Sequence, residues 1–167
     1  MVPSKVRCIG CGILVPDLRG PTHPYMHAAP GCWALYCSLE DWKISLTGPD
    51  APTVAQWLVD GYAAQHPTNM DRRNRQSVAV HLMSLCASFE RDVPGDKLRR
   101  EMDTWTHVEY TALRPHPDSY PLTVEDVVVA QADLRVSIVR SFASGTWSAW
   151  SSHHPQVRSW LDEMRQH

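Results

Sequence analysis

Two cysteines lie three positions apart near the beginning of the sequence, in the segment RCIGCG. Cys8 and Cys11 can occupy two corners of a tetrahedral zinc site from one tight turn, because a C-x2-C spacing brings both sulfur atoms to the same side of the chain. Gly10 and Gly12 favour such a turn, since glycine adopts left-handed backbone conformations at little steric cost. The spacing therefore predicts that this pair binds a metal ion.

Further ligands are available downstream, where Cys32 and Cys37 extend the pattern to C-x2-C-x20-C-x4-C. This spacing is close to the C-x2-C-x15–20-C-x2-C pattern of zinc sites without being identical to it. If the segment 32–37 is helical, the two side chains point about 140° apart around the axis, which disfavours their binding one ion. His23, in the proline-rich segment GPTHPYMH, is the alternative. We predict Cys8, Cys11 and Cys32 as ligands, with His23 and Cys37 as rival fourth ligands.

A structural zinc is the first interpretation of this cluster, because four protein ligands leave no coordination position for a substrate. Structural zinc in small peptides contributes about 10–16 kcal/mol of apparent binding free energy, enough to order a segment with few apolar residues. Two alternatives remain. A redox CxxC normally opens a helix that follows a strand, a pattern that this sequence lacks. The cysteines could also be buried without a ligand.

Histidines form a second group of candidate functional residues. His66 ends a predicted helix just before Pro67, His81 lies at the edge of an apolar helix face, and the pair His153 and His154 lies between the two last predicted helices. Three histidines on facing helices can hold a catalytic metal with an open coordination position. We therefore name His66, His81 and His153 as candidate catalytic residues. The alternative is that these histidines cap helices or are held at the core edge by a neighbour.

The first 31 residues contain many prolines and glycines, which excludes long regular elements there, whereas the remainder has helical periodicity. The predicted helices cover CWALYCSLEDWKISL, VAQWLVDGYAAQ with Thr53 as its cap, residues 71–91, residues 96–105, a short segment after Thr123, DLRVSIVRSFASGTWSAW, and a last helix from Ser152 or His153. No strand alternation of useful length occurs. The sequence predicts a mainly α protein of one domain, 1–167, in which an irregular N-terminal zinc-binding lobe, 1–31, packs on a helical bundle, 32–167.

Composition narrows the classes of function. The chain has 167 residues, a formal charge of -2 and 43% hydrophobic residues. Its basic runs, 72–75 and 97–100, have acidic neighbours, so we expect no nucleic-acid partner. We also expect no membrane span and no secretory signal, and hence a cytoplasmic protein. Phosphate-binding loops, nucleophile elbows and HExxH motifs are absent from the sequence.

The segments CIGCG, PTHPYMHAAPGCWALY, VDGYAAQHP, QSVAVHL and WSAWSSHHPQVRSWL together resemble a family of small uncharacterised bacterial proteins, a domain of unknown function. The resemblance spans most of the chain. Its CxxCG, PGCW, QHP and HL motifs fall on Cys8 and Cys11, Cys32, His66 and His81, which implies that these positions matter to the family. Relatives carry a histidine shortly before VDGYAAQHP, where this chain reads TVAQWLVD. The resemblance implies no reaction, substrate or cofactor.

Three functions are compatible with these patterns. The first is a cytoplasmic, zinc-binding helical protein whose histidines assist acid–base chemistry on a small molecule. The second is a zinc-stabilised interaction module without catalysis. The third is a thiol or metal sensor in which Cys8 and Cys11 release their ion on oxidation. The sequence leaves the substrate and the oligomeric state open.

Overall fold

The structure, a computed structural model, describes residues 4–68 and 71–166, and helices dominate it. The helices are α1 (Pro30–Cys37), α2 (Glu40–Ser45), α3 (Ala51–Gln65), α4 (Arg72–Arg91), α5 (Gly95–Trp105), α6 (Val124–Val129), α7 (Arg135–Ala149) and α8 (His154–Arg165), with a 3₁₀ turn at Ser151–His153. Two short strands, β1 (Lys5–Arg7) and β2 (Leu14–Pro16), form an antiparallel hairpin. The mainly α fold class is confirmed, although the N-terminal lobe contains a hairpin that the sequence pattern did not indicate.

Side chains cap the first turns of two helices. The Asp71 carboxylate accepts a hydrogen bond from the backbone N–H of Asn74 and so caps α4. Thr123 and Asp126 form a reciprocal capping box at the start of α6. Thr53 does not cap α3, because the helix already begins at Ala51 and the Thr53 hydroxyl accepts a hydrogen bond from the backbone N–H of Gly95.

The predicted helix CWALYCSLEDWKISL is divided into α1 and α2. The chain turns at Ser38 and Leu39, and the Ser38 hydroxyl donates to the carbonyl of Leu35, one of the last free carbonyl groups of α1. Leu39 is buried at this turn. The burial of Leu39 depends on residues distant in the sequence. Helical periodicity does not include such contacts, and it therefore predicts one continuous helix here.

Helix α3 is central to the bundle and packs against α7, α4 and α5, while α4 also packs against α8. Gly61 lets α3 approach α7 closely, since a Cβ atom added there would lie 2.5 Å from Cε1 of Phe142. One apolar cluster fills the space between α4, α5, α7 and α8 and contains Trp105 and Trp150. No described helix is long and apolar enough to cross a lipid bilayer.

A second apolar cluster joins the N-terminal lobe to the bundle and includes Val15 of β2, Tyr36 of α1 and Tyr62 of α3. Gly31 permits the contact between α1 and the hairpin, because a Cβ atom added there would lie 2.5 Å from the carbonyl oxygen of Pro16. Three cysteines belong to the same cluster. The end of the lobe that carries sulfur atoms is therefore turned towards the bundle.

Candidate metal centre

Four side chains from three parts of the chain converge between the hairpin, α1 and α3. One nitrogen or sulfur atom from each of Cys8, Cys11, Cys32 and His66 lies within 4.8 Å of the others, and all four side chains are buried. Among residues 4–68 and 71–166, this is the only group of three or more histidine, cysteine or acidic side chains that is close enough to hold a metal ion.

The separations match the edges of a tetrahedron. Sγ of Cys11 lies 3.7 Å from Sγ of Cys32, which in turn lies 3.3 Å from Nε2 of His66. A tetrahedral zinc with Zn–S bonds of about 2.3 Å separates two sulfur ligands by about 3.8 Å, and a sulfur from a nitrogen by about 3.6 Å. A disulfide would require about 2.05 Å between sulfur atoms. The donor set therefore fits a metal ion and does not fit a disulfide.

The loop between β1 and β2 presents the first two cysteines. The backbone N–H of Cys8 donates to the carbonyl of Ile13, and the N–H of Gly12 donates to the carbonyl of Cys8. Gly12 has a φ of 83°, a left-handed conformation that favours glycine. The tight turn that the CxxCG spacing predicts is present, and it directs Cys8 and Cys11 towards the bundle.

Helix ends present the other two ligands. Cys32 lies in the first turn of α1, and His66 follows the last residue of α3. Nδ1 of His66 lies 2.6 Å from the carbonyl oxygen of Tyr62, which can only accept, so Nδ1 carries the proton. Nε2 is then the nitrogen that faces the sulfur atoms, and it would bind a metal ion through its lone pair. A backbone carbonyl on the second nitrogen is the usual way to orient a metal-binding histidine.

Two further hydrogen bonds reach the sulfur atoms from outside the group. The backbone N–H of Ala29 donates to Sγ of Cys8, at 3.4 Å, and the Tyr62 hydroxyl donates to Sγ of Cys32, at 3.6 Å. Burial, together with the charge of Cys32, raises the pKa of Tyr62, which keeps this hydroxyl protonated and able to donate. Such donors stabilise thiolates, the form of cysteine that binds metals.

The electrostatics of the group favour a cation. Hydrogen bonds with Cys11 and Cys32 lower the pKa of Cys8, whereas hydrogen bonds with Cys11 and Cys8, together with burial, raise the pKa of Cys32. Burial acts to lower the pKa of His66, but its contacts with Cys11 and Cys8 outweigh burial and raise this pKa to about 9. One thiolate thus disfavours the next in the absence of a compensating positive charge, which a metal ion supplies.

A comparison with protein families places this chain in one of them. A family model described as a family of unknown function, DUF5946, matches residues 6–151. The chain belongs to DUF5946. No curated protein and no solved structure matches it. The DUF5946 match contains all four residues of the cluster and the helices that present them, α1 and α3, whereas α8 lies beyond it.

The structure of this DUF5946 protein brings Cys8, Cys11 and Cys32 together and places His66 beside them as the fourth donor. The two residues that the sequence offered for that position lie elsewhere. Cys37 is exposed at the end of α1. Nδ1 of His23 accepts a hydrogen bond from the backbone N–H of Tyr25, and its ring contacts the ring of Trp33 edge to face. Neither side chain belongs to the group that could hold a metal.

The three candidate catalytic histidines do not share one site. His66 belongs to the metal centre, Nδ1 of His81 lies 2.7 Å from Oδ1 of Asp60, and Nε2 of His153 donates to the carbonyl of Pro115 at 2.8 Å. Each imidazole thus has a different partner. His154 donates to the carbonyl of Trp147 and stacks on its indole ring.

Sequence reasoning grouped His66 with His81 and His153 and gave Tyr62 no role beside the cysteines, whereas the structure places both residues next to Cys32. The only local signal for His66 is Pro67, which ends α3 and leaves the imidazole at a helix end. Tyr62 precedes His66 by one helical turn, so its carbonyl and its ring lie beside the imidazole, with a ring separation of 4.1 Å. The approach of His66 to Cys8 and Cys11 depends on tertiary structure, which local sequence does not show.

Proposed function

We propose that this protein binds zinc and that the ion has a structural role. The ligands are Cys8, Cys11 and Cys32, through sulfur, and His66, through Nε2. The observation that carries the proposal is the separation of their donor atoms, 3.7 Å between two sulfur atoms and 3.3 Å between sulfur and nitrogen, in a buried group. Thiolate and imidazole donors at tetrahedral spacing are typical of zinc.

A structural role follows from the ligand count and from the elements that the ligands join. Three thiolates and one imidazole complete a tetrahedron, so no coordination position is left for a substrate. The hairpin has strands of only three residues, and a two-stranded hairpin of this size is marginally stable alone. Bound zinc supplies a rigid cross-link between the hairpin, α1 and α3.

Burial argues against a thiol sensor. The exposed fractions of Cys8, Cys11 and Cys32 are 1%, 7% and 0%, and cysteines that sense oxidants are accessible to solvent. Zinc-binding thiolates also have to remain reduced, which is why we propose the cytoplasm as the compartment.

Metal analysis tests the proposal. Untagged protein purified without added chelator is expected to contain one zinc per chain by mass spectrometry, and its cobalt form to show thiolate-to-metal charge-transfer absorption. Cys32→Ser should lose both signals. Cys86→Ser is the matched control, because Cys86 is also a fully buried free cysteine but lies on α4 outside the group. Protein that takes up no zinc, or a Cys32→Ser variant that retains it fully, would overturn the proposal.

A further inference from the structure

A buried carboxylate orients one of the histidines that the metal centre does not use. Asp60 of α3 has no exposed surface. Its Oδ1 accepts hydrogen bonds from Nε2 of Gln56 and from Nδ1 of His81, both at 2.7 Å, and its Oδ2 accepts from the Ser84 hydroxyl at 2.5 Å. Three donors from two helices therefore fix this carboxylate in position, and the carboxylate in turn fixes the imidazole.

The arrangement determines which nitrogen of His81 is available. Because Oδ1 of Asp60 is an acceptor, Nδ1 carries the proton and Nε2 carries the lone pair. None of the hydrogen bonds between described residues involves Nε2 of His81, and 16% of this side chain is exposed. An imidazole held by a carboxylate on one nitrogen can accept a hydrogen bond from a bound molecule on the other.

His81 lines a cavity of about 300 Å³. The walls come from α4, from the C-terminal end of α5 and from Tyr25 of the N-terminal lobe, and Val80 and Met102 supply apolar surface. This volume lies at the lower end of the range for small-molecule sites, so the ligand has to be small. Neither His66 nor His153 lines this cavity.

The cavity wall carries both signs of charge. Arg73 and Asp103 line it, and no ion pair between described residues involves either of them. The guanidinium of Arg73 lies 5.5 Å from the centroid of the Tyr25 ring and donates to the Tyr25 hydroxyl at 2.9 Å. These contacts hold the cation at the cavity while leaving other N–H donors available.

We propose that this cavity binds a small zwitterion with a carboxylate and an ammonium group, that is, a free amino acid or a close analogue. The ligand's carboxylate pairs with Arg73, and its ammonium group pairs with Asp103 and donates a hydrogen bond to Nε2 of His81. His81 thus accepts a hydrogen bond from the ligand, and Asp60 is its positioning residue. The proposal does not depend on zinc.

The binding test uses zinc-loaded, full-length protein and the twenty standard amino acids one at a time. Acetate and ethylamine, which carry one charge each, are the ligand controls. At least one amino acid should shift the imidazole Cε1–H resonance of His81 and give a calorimetric affinity at least tenfold higher than either control. If none of the twenty shifts the resonance, or if acetate or ethylamine binds equally well, the proposal is overturned.

Variants separate the roles of the wall residues. Arg73→Met should weaken binding at least tenfold, whereas Arg72→Met, at a neighbouring exposed position outside the cavity lining, should not. His81→Asn retains a side-chain N–H for Asp60 and removes Nε2, so it should weaken amino-acid binding at least tenfold without unfolding the protein. Asp60→Asn should change the tautomer of His81, visible in its ¹⁵N resonances. Equal binding by Arg73→Met and Arg72→Met would refute the assignment.

Zinc content measured on the same samples separates this proposal from the metal site. Loss of amino-acid binding in a variant that retains one zinc per chain supports the cavity. A variant that loses both zinc and amino-acid binding has lost its fold. The cavity is then tested with His81→Asn, because His81 lies outside the metal centre.

Discussion

Nε2 of His66 lies 3.3 Å from Sγ of Cys32, although 34 positions separate the two residues in the chain. The contact joins the C-terminal end of α3 to the first turn of α1. Cys11 reaches the same point from the hairpin. Three separate elements thus meet at one small group of donor atoms, and the stability of the N-terminal lobe should depend on that group.

The first prediction concerns thermal stability. Cys8→Ser should lower the melting temperature by roughly 10 °C or more, because it removes one of the four proposed zinc ligands. Each kcal/mol shifts the melting temperature of a chain of this size by about 2–4 °C. Differential scanning calorimetry with and without a chelator measures the effect. Cys37→Ser is the control, since Cys37 is exposed and lies outside the group. Equal melting temperatures for the two variants would contradict a structural metal.

The second prediction concerns the space beside His66. A Cβ atom added at Gly10 would lie 2.5 Å from Cδ2 of His66 and 2.8 Å from the carbonyl oxygen of Gln65. Gly10→Ala should therefore displace the imidazole and weaken zinc binding by about 10–100-fold, the usual effect of disturbing the groups around a metal site. Competition with a chromogenic chelator measures the affinity. Gly20→Ala should have no effect, because its added Cβ atom meets nothing within 4 Å.

The third prediction concerns the Tyr62 hydroxyl, which donates to Sγ of Cys32. Tyr62→Phe keeps the buried ring and removes this donor, so zinc should transfer to a chelator roughly tenfold more readily. Tyr110→Phe is the matched control, since it removes a buried hydroxyl that donates to the carbonyl of Trp105. Both variants should lose similar stability, but only the first should release zinc more readily. Equal rates of zinc transfer would show that the contact with sulfur has no effect on the metal.

Features fixed by nearby residues could be predicted from the sequence. The helix start at Thr123 and Asp126 and the CxxCG turn each depend on residues within a few positions, and the structure contains both. The 140° that separates Cys32 from Cys37 on a helix is similarly a matter of local geometry. It disfavoured the binding of one ion by both side chains, and in the structure Cys32 is buried in the group whereas Cys37 is exposed and lies outside it.

Features that depend on distant residues could not be predicted in this way. The fourth donor is His66 because α3 ends beside the hairpin, and no spacing rule connects positions 11 and 66. The turn between α1 and α2 depends on the burial of Leu39. The pairing of Asp60 with His81 joins two helices through side chains 21 positions apart. Periodicity places each of these residues on a helix face but does not identify its partner.

The fourth prediction tests the packing of α3 on α7. Gly61→Ala would place a Cβ atom 2.5 Å from Cε1 of Phe142, and such overpacking of a core costs about 1–3 kcal/mol. Gly145→Ala is the matched change on α7, where the nearest atom, Cγ of Pro121, is 3.3 Å away. Alanine is favoured over glycine within a helix by up to about 1 kcal/mol. Denaturant unfolding should therefore show a clear loss of stability for the first variant and little change or a gain for the second.

The fifth prediction concerns acid stability and the contact between α4 and α8. Glu90 accepts two hydrogen bonds from the guanidinium of Arg158, at 2.7 and 2.8 Å, and one from the indole N–H of Trp147. The hydrogen bonds from Arg158, which outweigh burial, lower the pKa of Glu90 below its ordinary value of 4.5. Because the folded-state pKa is the lower one, the contribution of this carboxylate to stability is complete above pH 4.5 and is lost as the pH falls through the lowered value.

Glu90→Gln should consequently reduce the melting temperature at pH 7 by only a few degrees, because both partners of this ion pair are partly exposed to solvent. The difference between wild type and Glu90→Gln should shrink as the pH falls below 4.5. Melting curves recorded from pH 7 to pH 3 measure it. Asp96→Asn is the control, since Asp96 forms an exposed pair with Arg100 within α5 and should change stability very little at any pH. A difference between wild type and Glu90→Gln that is the same at every pH would show that the ionised Glu90 carboxylate does not hold α8 against α4.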